Sequence, residues 1–134
     1  MANPNIAALS SIYGNTAYVI PSTTSATTSW TYNGTTSLTG LTPATNTVNK
    51  ITGLTVSNTT SSAATATVGI GNNATFGSAT VVSYPAYQIS VPAGATLIVI
   101  DKTTDIYITE NQSVAVTSGT ASALTYTATF EAIS

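Results

Sequence analysis

From Leu124 to Ala132 the chain alternates without a break. Leu124, Tyr126, Ala128, Phe130 and Ala132 are apolar, and the residues between them are Thr125, Thr127, Thr129 and Glu131. Successive side chains on an extended backbone point to opposite faces, so a period of two dictates a half-buried strand and not a helix. Ala64, Ala66, Val68 and Ile70 repeat the pattern, as do Tyr87, Ile89 and Val91. β-Branched residues dominate these runs and suit a pleated surface, which predicts an all-β fold with little or no helix.

The segment Thr96 to Ile100 differs, because Leu97, Ile98, Val99 and Ile100 are apolar in succession. That pattern predicts a strand covered on both faces, by a loop, a chain terminus or a neighbouring subunit. Turn signals separate the runs: Asn33-Gly34, Thr42-Pro43, Gly71-Asn72-Asn73, Pro92-Ala93-Gly94, Glu110-Asn111-Gln112 and Ser118-Gly119. Their spacing implies about eight or nine short strands in a single β-sandwich, jelly-roll or immunoglobulin-like in kind. The polar stretches Asn33 to Thr47 and Asn72 to Pro85 are expected to be surface loops. Asp101 to Asp105 reads as a hairpin connection in which aspartate bonds nearby backbone N–H groups.

Which chemistry such a sandwich could carry is limited by what the chain lacks. Among 134 residues there is no histidine and no cysteine, and the charged side chains are Lys50, Lys102, Asp101, Asp105, Glu110 and Glu131. That is 4% charged, against about 25% in an average soluble domain. Serine nucleophiles have no imidazole to activate them, and nothing local supports Lys50 or Lys102 in that role. A glycosidase pair would have to come from four sparse carboxylates. The Asp101–Asp105 segment has oxygen ligands for a hard cation, but lacks the glycine and terminal glutamate of an EF-hand loop. No enzyme, metal or cofactor role is expected. Two basic residues cannot neutralise a series of phosphates, so nucleic acid is not an expected partner. No run has the apolar length of a membrane-spanning helix, and the first residues do not read as a signal peptide. Without a secretion signal, the N-x-S/T matches at Asn33, Asn58, Asn73 and Asn111 carry little meaning in so threonine-rich a chain.

Two places offer apolar anchors for a partner. Residues 1–12 lack strand alternation yet contain Ile6, Ala7, Ala8 and Leu9, which predicts an arm docked on a neighbouring chain, ahead of a sandwich spanning 13–134. Trp30 and Tyr32 share one side of the run Ser29 to Tyr32. Alternate aromatics of this kind are core or interface anchors, or a stacking platform for carbohydrate. Ile6, Leu9, Trp30 and Tyr32 are therefore the expected interface residues.

Read together, MANPNI, SIYGNTA, KITGLTVSN (Lys50 to Asn58), YQISVPAGATLIVIDKTTDIYITENQSVAV (Tyr87 to Val116) and the closing FEAIS resemble small virion structural proteins of tailed phages, especially cyanophages. The specificity lies in the joint order of these motifs, which covers both ends and the C-terminal half. Glu110-Asn111-Gln112 departs from the more acidic turn of that group. The resemblance implies a β-sandwich displayed on the particle, a decoration or cement protein that binds the assembled head. Its partners would be the major capsid protein or other virion proteins, and further copies of itself in a homo-oligomer. The alternative is a head or tail fibre or adhesion module that binds a host-surface glycan.

Overall fold

The computed structural model describes residues 8–74 and 81–134. Ten strands follow one another in these residues: β1 (Ile12–Val19), β2 (Ser29–Tyr32), β3 (Thr36–Thr39), β4 (Val48–Asn58), β5 (Ala64–Gly71), β6 (Val81–Val91), β7 (Thr96–Ile100), β8 (Ile106–Ile108), β9 (Ser113–Ser118) and β10 (Leu124–Ile133). They form two antiparallel sheets, one of seven strands in the order β3-β2-β1-β10-β4-β7 with β8 also on β4, and one of three in the order β6-β5-β9. The architecture is the expected all-β sandwich. Two segments read as loops carry strands: Thr36–Thr39 is β3, and Val81 to Pro85 opens β6.

The alternation in β10 resolves as the pattern predicts. Leu124, Tyr126, Ala128 and Phe130 are buried, and Thr129 faces solvent. They meet Ala64, Ala66, Val68 and Ile70 from β5, Ile51, Leu54 and Val56 from β4, and Val114 and Val116 from β9 in one core. Tyr126 ties the two sheets together, donating its hydroxyl proton to the Thr117 carbonyl at 2.6 Å. Burial pushes its phenol up to about 12.

Bulges account for the strands whose faces the alternation misplaces. In β6, Ile89 faces Ala66 and Ala86 faces Val68, so Tyr87 and Gln88 together oppose Thr67 alone. Gln88 takes a positive φ of 49° there and its N–H donates to Thr67 Oγ1 at 3.0 Å. The extra residue turns Tyr87 outward, and only Val91 of the predicted Tyr87, Ile89, Val91 set is fully buried. A bulge also explains the apolar run in β7. Ile98 pairs with Thr55 and Ile100 with Leu54, which leaves Val99 as the extra residue. Leu97 and Val99 pack against the core and Ile100 is buried within it, while Ile98 points out with 65% of its surface exposed. The run therefore reflects a shift of face within one edge strand, and among the described residues no loop or chain end covers the Ile98 side of it.

The Asp101–Asp105 segment is not a hairpin. β7 and β8 both lie antiparallel to β4, at Leu54–Ser57 and Asn49–Ile51 respectively, so they are two pieces of one edge strand with the segment looped out between them. Asp101 holds the loop: Oδ1 accepts from Thr103 N–H at 2.8 Å and from Thr103 Oγ1 at 2.6 Å. Those hydrogen bonds, the Thr103 hydroxyl first, hold its carboxyl below the usual range. An interrupted, bulged edge is a poor template for an added strand, as are the bulges and Pro85 in β6.

The far edge of the small sheet is stitched to the large one. Val114 N–H donates to Gly40 O at 2.7 Å, Val116 and Thr27 exchange backbone bonds at 3.0 and 2.9 Å, and the Trp30 indole N–H donates to Val114 O at 3.1 Å. Gly40 makes this approach possible. It sits at φ +65°, and a Cβ there would lie 2.6 Å from Ser113 Cβ. Gly40→Ala is expected to cost about 1–3 kcal/mol through backbone strain and overpacking. Urea unfolding would read this as a lower midpoint at unchanged slope.

Candidate functional surfaces

Two surfaces emerge from the unequal width of the sheets. The first is a cleft on the inner face of the large sheet. Tyr13, Asn15, Ala17 and Val19 share that face of β1, opposite Ala132, Phe130, Ala128 and Tyr126 of β10. Burial rises along the strand, from Tyr13 at 67% exposure to a fully buried Ala17. The small sheet thus roofs one end of this face and leaves the other open. The opening is a cleft of about 290 Å³, floored by Tyr13, Asn15, Tyr32, Leu38 and Phe130 and walled by Thr42, Pro43, Ala44, Thr47 and Asn49.

The side chains of this cleft are held from below. The Tyr32 and Phe130 rings lie 6.2 Å apart at 59°. Asn49, itself buried, donates from Nδ2 to the Leu41 carbonyl at 2.8 Å, and Asn15 donates from Nδ2 to the Tyr13 carbonyl at 3.2 Å. Thr42 Oγ1 donates to Gln112 O at 2.7 Å, and Glu110 Oε1 accepts from Asn46 N–H at 2.6 Å, which together pin the wall loop. Ala132 and Ser134 complete the lining, and no lining residue carries a charged side chain.

The second surface is the outer face of the large sheet. Pairing of β1, β10, β4 and β7 places Thr16, Thr127, Thr129, Thr55, Ser57 and Thr96 on it, with Tyr18 and the exposed Ile98 among them. Its charge is gathered where β4 meets β8. Lys50 pairs with Asp105 at 3.0 Å and lies 5.9 Å from the centre of the Tyr107 ring. The hydrogen bond to Asp105, then its charge, raises the Lys50 pKa. The outer face of the small sheet carries a third feature, an exposed edge-on pair of Tyr84 and Tyr87 with ring centres 4.9 Å apart. Tyr84 packs over Gly69, where a Cβ would stand 3.5 Å from its ring.

The residues singled out from sequence are dispersed by the fold. Trp30 is fully buried and bonded inside the core, so it has no surface to offer a partner, and its place as an interface residue is corrected. Tyr32 shares its face as expected, half-buried at the cleft. Leu9 is half-buried, and Ile6 lies outside the described residues. Ser10 and Ser11 donate their N–H groups to the Ser134 carbonyl at 2.7 and 3.0 Å, so the last part of the expected arm is held to the end of the chain. Tyr13 and Asn15 were missed. The run Tyr13, Asn15, Ala17, Val19 is a period-two strand face with polar groups at one end, which is the signal that could have found them.

No group of three or more potential metal-ligating residues occurs among the described residues, and no helix there is long and apolar enough to cross a membrane. The chain matches no protein-family model, no curated protein and no solved structure.

Proposed function

We propose that this protein is a structural component of a phage virion, a decoration or cement protein on the exterior of the head. The observation that carries the reading is the outer face of the seven-stranded sheet, broad and rich in threonine, with its charge confined to one end around Lys50, Asp105 and Glu131 and with Ile98 and Tyr18 exposed on it. Interface centres are depleted of charge, and large apolar side chains left in water mark contact sites. The ordered motifs from MANPNI to FEAIS support the same reading. The protein would bind the assembled lattice and not the free capsid subunit. It would then stabilise the shell in proportion to that difference in affinity.

A lattice role and a fibre role differ in stoichiometry. In purified particles, a decoration protein is expected at a fixed ratio to the major capsid protein, and a fibre at only a few copies. Binding to stripped capsids tests the face. Ile98→Arg should weaken it by about tenfold or more, since it places an unpaired charge in the contact, while leaving the melting temperature unchanged. Absence from particles, a few copies per particle, or undiminished binding by Ile98→Arg would each overturn the assignment.

A further inference from the structure

We propose that the cleft over β1 and β10 binds a neutral saccharide. The proposal does not rest on the virion reading, because it concerns the isolated chain and a face opposite to the one that would contact a shell.

No positively charged side chain lines the cleft, so an anionic ligand would lose hydration there without gaining a counter-charge. A wholly apolar ligand would cover the half-buried Asn15 amide and leave its remaining groups unpaired. The Asn15 and Asn49 amides each spend one N–H on a backbone carbonyl, at Tyr13 and Leu41, which fixes the plane of each. What remains open on Asn15 is an acceptor oxygen and a second donor, while Asn49 lies almost fully enclosed beneath the cleft. A sugar hydroxyl also donates and accepts, and so matches such a group in either sense. A sugar ring further has a C–H face, and the exposed Tyr13 ring together with Tyr32 and its Phe130 support offers an apolar surface to receive it. A proline-rich peptide also docks on aromatic grooves, but its proline residues have no N–H to satisfy the amide oxygens. The volume, near 290 Å³, is at the lower end of the roughly 300–1,000 Å³ usual for ligand sites, which suits a chain end or a short stretch of glycan.

The full chain, ¹⁵N-labelled, would be titrated with neutral hexasaccharides of glucose, galactose and mannose, with a sialylated oligosaccharide and a proline-rich peptide in parallel. At least one neutral series should move the side-chain amide signals of Asn15 and Asn49 at millimolar concentration or below, with no dependence on salt. Tyr13→Ala should weaken that binding by about tenfold or more at unchanged melting temperature, since its ring is mostly in solvent. Tyr87→Ala, on the other sheet, should leave it as it was. If no neutral series perturbs those amides, if binding survives both Tyr13→Ala and Asn15→Ala, or if the sialylated sugar or the peptide binds more tightly, the assignment is wrong.

Discussion

Trp30→Ala is expected to lower stability by about 3–5 kcal/mol, the range for deleting a large aromatic from a packed interior. The ring is fully buried between the sheets, and its N–H satisfies the Val114 carbonyl at 3.1 Å. Two terms are therefore removed at once, and Trp30→Phe separates them. Phenylalanine restores most of the apolar volume but has no N–H, so the Val114 carbonyl loses that donor at a cost of about 1–3 kcal/mol. Denaturant unfolding of the two variants measures both. If Trp30→Phe equals the wild type, the indole hydrogen bond contributes nothing, and if Trp30→Ala does, the ring is not part of the core.

Phe130→Ala should cost a similar amount, about 3–5 kcal/mol, while its neighbour Thr129→Ala should stay near the surface norm of about half a kilocalorie. The contrast follows from the pleat, since Phe130 points inward against Tyr32 and Thr129 points to solvent. A single residue of chain thus separates a large loss from a small one. Equal losses would mean that the strand is registered on the opposite face. Because Phe130 also supports the Tyr32 ring in the cleft, its replacement is a poor probe of ligand binding, and the exposed Tyr13 is the better one.

How much of this was legible in the sequence depends on how regular each strand is. β10 and the inward set of β5 were readable because neighbours on the core face stand two residues apart from Leu124 to Phe130 and from Ala64 to Ile70. β6 and β7 were not, since an inserted residue exchanges the faces and leaves no mark of its own in the sequence. Four consecutive apolar residues, Leu97 to Ile100, fit a strand buried twice or a strand bulged once, and composition alone cannot choose. The looped-out Asp101–Asp105 segment had the residues of a turn, and they do bond the backbone as expected. The direction of the chain on either side of it depends on β4, which is distant in sequence. The cleft was hidden for a related reason. Tyr13 and Asn15 continue the same face as Ala17 and Val19, and only the limited width of the opposing sheet leaves them open.

The strand nearest the C-terminus lies in the middle of the larger sheet. β10 separates β1 on one side from β4 on the other, so among the described residues the first three strands join the rest of that sheet only through residues 124–133. During synthesis, β1 and β4 must therefore wait for a shared partner made after both of them, and a fragment that stops short of β10 cannot complete this sheet. Pairings so remote in sequence make for slow folding and a prolonged period with open edges. For this chain, emergence of residues 124–133 is the event that lets the two halves of the large sheet join, and truncation anywhere before Leu124 would leave two half-sheets without the strand that lies between them.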